Sequence, residues 1–179
     1  MSNSKHGELT AAIGAKLTFD RYNVIYDHGT SSENVGKIVS ALKKEYGRDD
    51  ELSQLDIAVV EQDSDNAVLL VEIEETSDRP KTFLGDIFGI LFGNHICYRK
   101  DELKEFIVGD FTTLLVAGIS KAEHPERNQH IEDYANKIKF SLRTQNSNIG
   151  KVVIKTYRDE QDMLAKLPTM LEKIVNGEM

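Results

Sequence analysis

The segments LDIAVV (55–60), EQDSDN (61–66) and AVLLVEIEE (67–75) form the stretch of sequence that decides the fold. The first and third segments are apolar and rich in β-branched residues, whereas the segment between them is rich in Asp, Ser and Asn. This pattern predicts two antiparallel strands joined by a short turn. We therefore expect a hairpin here, with the other elements arranged around it.

Three carboxylates stand in this hairpin. Asp56 opens the first strand, and Glu72 and Glu74 lie near the end of the second. Because side chains alternate along a strand, Glu72 and Glu74 share one face and Ile73 points to the other. If Asp56 shares the face of the two glutamates, the three acids converge and need a cation to hold them ionised. The alternative is that these acids simply meet solvent at the strand ends.

The hairpin resembles the core motif of the PD-(D/E)xK, or restriction-endonuclease-like, nuclease superfamily. There, an Asp at the start of one strand is followed, after a hairpin, by (D/E)-x-K. Asp56 matches the first Asp and Glu72 the next acid, whereas Glu74 stands where lysine is usual, as in members that carry D…E-x-E. The resemblance implies a nuclease acting on DNA with Mg²⁺ or Mn²⁺, held by Asp56, Glu72 and the carbonyl of Ile73.

The same resemblance implies roles for two more residues. A glutamate of the first helix often helps to hold the metal in these nucleases, and Glu8 is the candidate. Its alternative role is that of an acid favoured by the dipole at a helix N-terminus. In this superfamily the lysine function can move to the helix that follows the hairpin. Lys81 is therefore the candidate to supply the positive charge that is missing because Glu74 occupies the usual lysine position. The alternative for Lys81 is an exposed residue of a first helical turn.

Length and composition indicate one soluble domain over residues 1–179. The chain is 40% hydrophobic and 29% charged, which is ordinary for a globular protein. The single Cys97 excludes a disulfide framework and, without a local Cys/His set, gives no zinc signature. The polar N-terminus has no apolar signal region, and no apolar run reaches membrane-spanning length. We expect a cytoplasmic protein that is not associated with a membrane.

Charge is unevenly distributed along the chain. The formal net charge is -8, which argues against a nucleic-acid surface over the whole molecule. Residues 43–78 nevertheless carry twelve acids and three bases, and residues 121–158 carry eight bases and four acids. A helix beginning at His124 would place basic side chains on its outer face as candidate phosphate contacts, or simply as a solvated surface; they are Arg127, Lys137, Lys139 and Arg143.

The remaining patterns predict an α/β fold in which a mixed central sheet is flanked by helices, and the resemblance implies a restriction-endonuclease-like core. Hydrophobic periodicity and turn residues define the elements. The predicted elements are a helix over Glu8–Leu17, a strand over Arg21–Asp27, a helix over Glu33–Tyr46, a helix from Pro80, a helical link over Asp101–Phe106, a buried strand over Thr112–Ile119, a strand over Lys151–Tyr157 and a last helix from Asp159, bent or restarted at Pro168.

Glycines recur every four residues in the helix that follows the hairpin, at Gly85, Gly89 and Gly93. Glycine lowers helix propensity, so three in register predict the close approach of a neighbouring backbone. That neighbour is either the sheet or the same helix of a second subunit, which would make a homodimer. Two other functions remain open: a catalytically inactive nuclease-fold module that binds nucleic acid or a protein, and an acidic α/β interaction protein.

Overall fold

The computed structural model describes residues 5–28, 34–41, 48–74, 80–100, 102–119, 137 and 148–179. Three helices and nine strands lie in these ranges. In chain order they are α1 (Lys5–Gly14), β1 (Tyr22–Tyr26), β2 (Lys37–Ala41), a 3-10 turn (Arg48–Asp50), β3 (Glu51–Leu55), β4 (Ile57–Glu61), β5 (Ala67–Glu74), α2 (Pro80–Leu91), β6 (His95–Arg99), β7 (Leu103–Ile107), β8 (Thr113–Ile119), β9 (Lys151–Tyr157) and α3 (Glu160–Val175).

The predicted hairpin is confirmed as β4 and β5. The two strands pair antiparallel, with Ile57 opposite Val71 and Val59 opposite Leu69. Their turn is closed by the amide of Glu61, which donates to the Asn66 carbonyl at 3.0 Å. The two apolar runs are almost fully buried because each face of the hairpin is covered by other elements.

A mixed sheet of five strands is built on this hairpin, in the order β1-β4-β5-β8-β9. The pairs β1/β4 and β4/β5 are antiparallel, whereas β8 runs parallel to β5 and β9 runs parallel to β8. We call it the first sheet. The predicted α/β fold with a mixed central sheet flanked by helices is therefore confirmed, and β8 is buried on both faces as expected for an inner strand.

One face of the first sheet packs against α1 and α3. The contacts are made by side chains spaced three or four residues apart on each helix, so each helix buries one stripe. The buried residues of this layer are Leu9, Ile13 and Leu17 from the first helical segment, Met163, Leu167 and Leu171 from α3, and Ile57, Val59, Leu69, Val71, Ile73, Leu115 and Ala117 from the sheet.

The other face of the first sheet is covered by α2 and by a second, antiparallel sheet of four strands, in the order β3-β2-β6-β7. Sequence patterns did not predict this second sheet. Its inner side chains, which include Ile38 and Ile96, join Ile87 and Ile90 of α2 over Leu70 of the first sheet. The core is thus continuous from the second sheet to the central hairpin.

The predicted helix over Glu33–Tyr46 is wrong in its described part, because residues 37–41 form strand β2. Ile38 packs toward the first sheet and Val39 packs on the opposite side, so both faces of the strand are buried. A strand buried on both faces shows a continuous apolar run, which periodicity alone does not separate from a helix. Residues 29–33 and 42–47 of this prediction lie outside the described residues.

The predicted helical link over Asp101–Phe106 is also wrong. Residues 103–107 form β7, which pairs antiparallel with β6, a strand that was not predicted. Residues 48–54, for which no element was predicted, contain the 3-10 turn and most of β3. These strands are five residues long and mix apolar with polar residues, such as the exposed Gln54, Arg99 and Lys104, so their local sequences lack the long apolar signal that marks β5 and β8.

α3 runs without interruption from Glu160 to Val175, although Pro168 lies within it. A restart at Pro168, one of the two expected outcomes, does not occur. Proline has no amide hydrogen, so the carbonyl of Leu164 loses its usual partner four residues later. That carbonyl instead accepts a hydrogen bond from Nζ of Lys16 at 3.3 Å. The helix thus tolerates proline partly because a lysine just after α1 replaces the missing donor.

The glycines of the α2 stripe have different surroundings. A Cβ atom at Gly89 would lie 2.9 Å from the carbonyl oxygen of Leu52 and 2.8 Å from Cβ of Ser53, both in β3. A Cβ atom at Gly93 would lie 1.8 Å from Oγ of Ser40 in β2. The neighbour that the stripe predicted is therefore the second sheet of the same chain. Gly85 is exposed, and among the described residues no atom from outside the backbone of its own helix lies within 4 Å of its Cβ position.

We expect Gly89→Ala and Gly85→Ala to change stability in opposite directions. The methyl group at position 89 must displace β3 backbone, so Gly89→Ala should lower the free energy of unfolding by about 1–3 kcal/mol. The exposed Gly85→Ala gains helix propensity and should raise it by up to about 1 kcal/mol. Urea unfolding followed by circular dichroism measures both values. Equal changes in the two variants would show that α2 does not depend on close contact with β3.

Candidate functional site

Asp56 is the residue at which the chain passes from the second sheet to the first. It lies between Leu55, the last residue of β3, and Ile57, the first of β4. Asp56 is buried, and only 4% of the residue is exposed to solvent. A buried carboxylate is stable only when hydrogen bonds or opposite charges replace the lost water. Neighbouring groups must therefore provide hydrogen bonds or positive charge to the Asp56 carboxylate.

The backbone and the carboxylate of Asp56 join four parts of the chain. Its amide donates to the carbonyl of Val71 at 3.2 Å, and its carbonyl accepts from the amide of Asp27 at 2.9 Å. Oδ2 of its carboxylate accepts from the amide of Ile73 at 2.7 Å, and Oδ1 accepts from the hydroxyl of Thr10 at 3.1 Å. Two donors to the carboxylate stabilise its negative charge inside the protein.

Glu72 is brought next to this carboxylate by the pairing of β4 with β5. The amide of Ile73 that donates to Asp56 belongs to the peptide joining Glu72 to Ile73. Glu72 and Glu74 are half-buried. Val71 and Ile73, which alternate with them along β5, are fully buried on the face of the first sheet that packs against α1 and α3. The alternation expected for the two glutamates is therefore confirmed, and Oε2 of Glu72 is itself shielded from solvent.

Sequence reasoning missed a further carboxylate at this site, Asp27. It follows β1, is half-buried, and its amide bonds to the backbone of Asp56. Burial raises the pKa of the Asp27 carboxyl; the charge of His28 lowers that pKa and the negative charge of Asp56 raises it again. No local pattern marks Asp27 as functional, because only the pairing of β1 with β4 brings it to Asp56.

An ion pair from the second sheet flanks the acids. Nζ of Lys37 in β2 lies 2.7 and 2.9 Å from the two carboxylate oxygens of Glu51 in β3. The charge of Lys37 lowers the pKa of Asp27, and the charge of Glu51 raises it. Because Lys37 is already paired with Glu51, it offsets only part of the unfavourable burial of the Asp27 charge.

The other predicted residues are placed as follows. Glu8 lies in α1 and is exposed. Thr10, two residues on, is the α1 residue that contacts Asp56, and two residues turn a helix by about 200°. Lys81 lies in α2, but its side chain is outside the description, and Lys137 is exposed. Arg127, Lys139 and Arg143 lie outside the described residues, so the predicted phosphate contacts stay predictions.

The described side chains include no group of three or more His, Cys, Asp or Glu residues arranged to hold a metal ion. Mg²⁺ does not require such a group, because it is commonly held by one or two carboxylates and keeps several waters. Asp56, whose carboxylate accepts hydrogen bonds from Ile73 and Thr10, and the half-buried Glu72 offer the oxygen ligands that Mg²⁺ prefers. Asp56 and Glu72 therefore fit a site of the two-carboxylate kind.

No family model, curated protein or solved structure matches this chain. Within the described part of the chain, no helix has the length and apolar character needed to cross a membrane.

We expect Asp27→Asn to stabilise the protein near neutral pH. A carboxyl whose pKa is raised on folding binds its proton more tightly in the folded state. The wild type therefore loses stability as pH rises from the ordinary value of 3.8 through the higher folded pKa, and the neutral amide removes that loss. Urea unfolding at several pH values from 3.5 to 7 gives the difference between the two proteins.

Asp63→Asn, which removes an exposed acid from the β4–β5 turn, is the matched control for the loss of one charge. The Asp27→Asn advantage should grow with pH and then level off. An Asp27→Asn protein that is less stable than wild type at pH 7 would contradict an unfavourable buried charge at this position.

Proposed function

We propose that this protein is a metal-dependent phosphodiesterase that cleaves DNA, with Mg²⁺ or Mn²⁺ as its cofactor. The observation that carries the proposal is the contact between the Asp56 carboxylate and the peptide that joins Glu72 to Ile73. The contact joins Asp56, which precedes β4, to the backbone next to Glu72 near the end of β5, and this supports a shared site for the two acids. Acids arranged in this way have a high affinity for divalent cations.

The order of the elements supports the same proposal. The core of the resembled nucleases runs α, β, β, β, α, β, with the acids on the second and third strands. Here α1, β1, β4, β5, α2 and β8 follow that order, with Asp56 directly before β4 and Glu72 on β5. The segments β2–β3 and β6–β7 are insertions into this order, and they pair with each other in the second sheet.

In the proposed mechanism, Asp56, Glu72 and the carbonyl of Ile73 would hold the cation. The chemistry it would supply is polarisation of the scissile phosphate and a lower pKa for an attacking water. Glu74 positions that water or removes its proton. As a carboxylate, it does not offer the positive charge that a lysine gives to the developing transition state. Lys81 is the proposed source of that charge, and Glu8 is a proposed additional ligand.

Calorimetric titration with Mn²⁺ tests the metal site. Wild type should bind Mn²⁺, and Asp56→Asn or Glu72→Gln should reduce the affinity by at least about tenfold because each removes a ligand charge. Asp63→Asn is the control, since it removes an acid from the opposite end of the same hairpin. Circular dichroism should show all proteins folded. Equal affinities in all four proteins would remove the proposed site, and absent binding to wild type would remove the function.

The presence of Glu74 in place of lysine favours a second candidate, a catalytically inactive nuclease-fold module that binds nucleic acid or a protein. We expect Glu74→Lys to increase cleavage of plasmid and single-stranded DNA by up to about 100-fold if the wild type is a weak enzyme. Asp63→Lys makes the same change in net charge away from the site and controls for general DNA affinity. Intact DNA with every protein would favour the inactive module.

Two broader parts of the proposal concern location and assembly. We propose a cytoplasmic protein, in keeping with its single cysteine, which is buried. A homodimer through α2 stays a prediction. Since Gly89 and Gly93 lie against the second sheet, the part of the glycine stripe left for a second subunit is the exposed Gly85. An acidic interaction protein is the alternative that absent metal binding would favour.

A further inference from the structure

We infer that Thr10 is a positioning residue that fixes the orientation of the Asp56 carboxylate for cation binding. This inference rests on the proposed function and concerns the same site. From the first helix, the sequence predicts an acidic metal ligand, Glu8. Nothing in the local sequence distinguishes Thr10 from other helix residues. Only the structure shows that its hydroxyl donates to Oδ1 of Asp56 at 3.1 Å, in a completely buried contact.

Two hydrogen bonds together define the plane of the Asp56 carboxylate. The amide of Ile73 holds Oδ2 at 2.7 Å, but this bond alone leaves the group free to swing about that oxygen. The Thr10 hydroxyl holds the second oxygen from another element, so rotation about the terminal side-chain bond is blocked. The lone pairs of both oxygens lie in the carboxylate plane, so fixing that plane fixes their directions. A fixed ligand binds a cation more tightly because less orientational freedom is lost on binding.

The donor is itself held rigidly. Thr10 lies between Leu9 and Ile13, which are both buried against the first sheet, so α1 does not move freely relative to β4. Thr10 also has an alternative acceptor, because a helical threonine often bonds to a carbonyl three or four residues earlier in its own helix. Its hydroxyl is instead directed to Asp56. That choice links the helix to the carboxylate across 46 residues of sequence.

Neighbouring groups that orient metal ligands typically change metal affinity by about 10- to 100-fold when they are removed. Thr10→Val has nearly the same shape as threonine and lacks only the hydroxyl. It should weaken Mn²⁺ binding by that factor while leaving Asp56 and Glu72 in place. Thr10→Ser keeps the hydroxyl and should bind Mn²⁺ within about threefold of wild type, a range well below the effect of removing such a group.

Thr112→Val is the matched control, since it removes another fully buried threonine hydroxyl. Thr112 donates to the carbonyl of Ala67 at 2.7 Å and accepts from the amide of Gly109 at 2.9 Å. Ala67 begins β5, six residues before Ile73, which is about 20 Å along a strand. Thr112→Val should therefore lower the free energy of unfolding, as Thr10→Val does, without changing Mn²⁺ affinity.

The test is Mn²⁺ titration calorimetry on wild type and the three variants, with urea unfolding of each. Weaker binding by Thr10→Val, with Thr10→Ser and Thr112→Val near wild type, supports the positioning role. Wild-type affinity in Thr10→Val, or equal losses in Thr10→Val and Thr112→Val, would overturn it while leaving the proposed function intact. If wild type itself binds no Mn²⁺, the proposed function and the positioning role of Thr10 are both wrong. Should Thr10→Val not fold, the Mn²⁺ affinity of Thr10→Ala is measured in its place.

Discussion

The buried carboxylate of Asp56 is the constraint on which the arrangement of the chain depends. It stands where one extended segment leaves the second sheet and joins the first, so it is surrounded by backbone rather than by solvent. An unsatisfied acid there would be strongly destabilising. The amide of Ile73 and the hydroxyl of Thr10 meet this requirement from a strand and a helix. Satisfying one side chain therefore fixes the relative positions of α1, β4 and β5.

The second sheet is the largest addition to the predicted architecture. Its strands come from two separate insertions, β2–β3 before the central hairpin and β6–β7 after α2, which meet through the pairing of β2 with β6. Together with α2 they cover the face of the first sheet that α1 and α3 leave open. Gly89 permits this packing because its missing side chain lets the Leu52 carbonyl approach α2. The inserted β3 also delivers the chain directly to Asp56.

The electrostatic character of the site follows from the same long-range pairings. Asp27 reaches Asp56 through the β1–β4 pair, and Glu51 and Lys37 arrive with the second sheet. Negative groups thus gather from three separate segments, and the Lys37–Glu51 ion pair lies beside them. Sequence motifs identify the two acids on the hairpin, but they do not identify the groups that set the local potential. Those groups are contributed by parts of the chain that have no shared local pattern.

The sequence by itself determined the elements whose signals are local. The β-branched runs and polar turn specified β4 and β5, the continuous apolar run specified β8, and proline at the first turn specified the start of α2. It also indicated Asp56 and Glu72 as candidate site residues, since strand pairing across a short turn brings their segments together. Only the tertiary structure decided that residues 37–41 form a strand, since an apolar run buried on both faces fits a helix equally well. Likewise, the meeting of Thr10 and Asp27 with Asp56 depends on contacts between distant segments, which no local periodicity encodes.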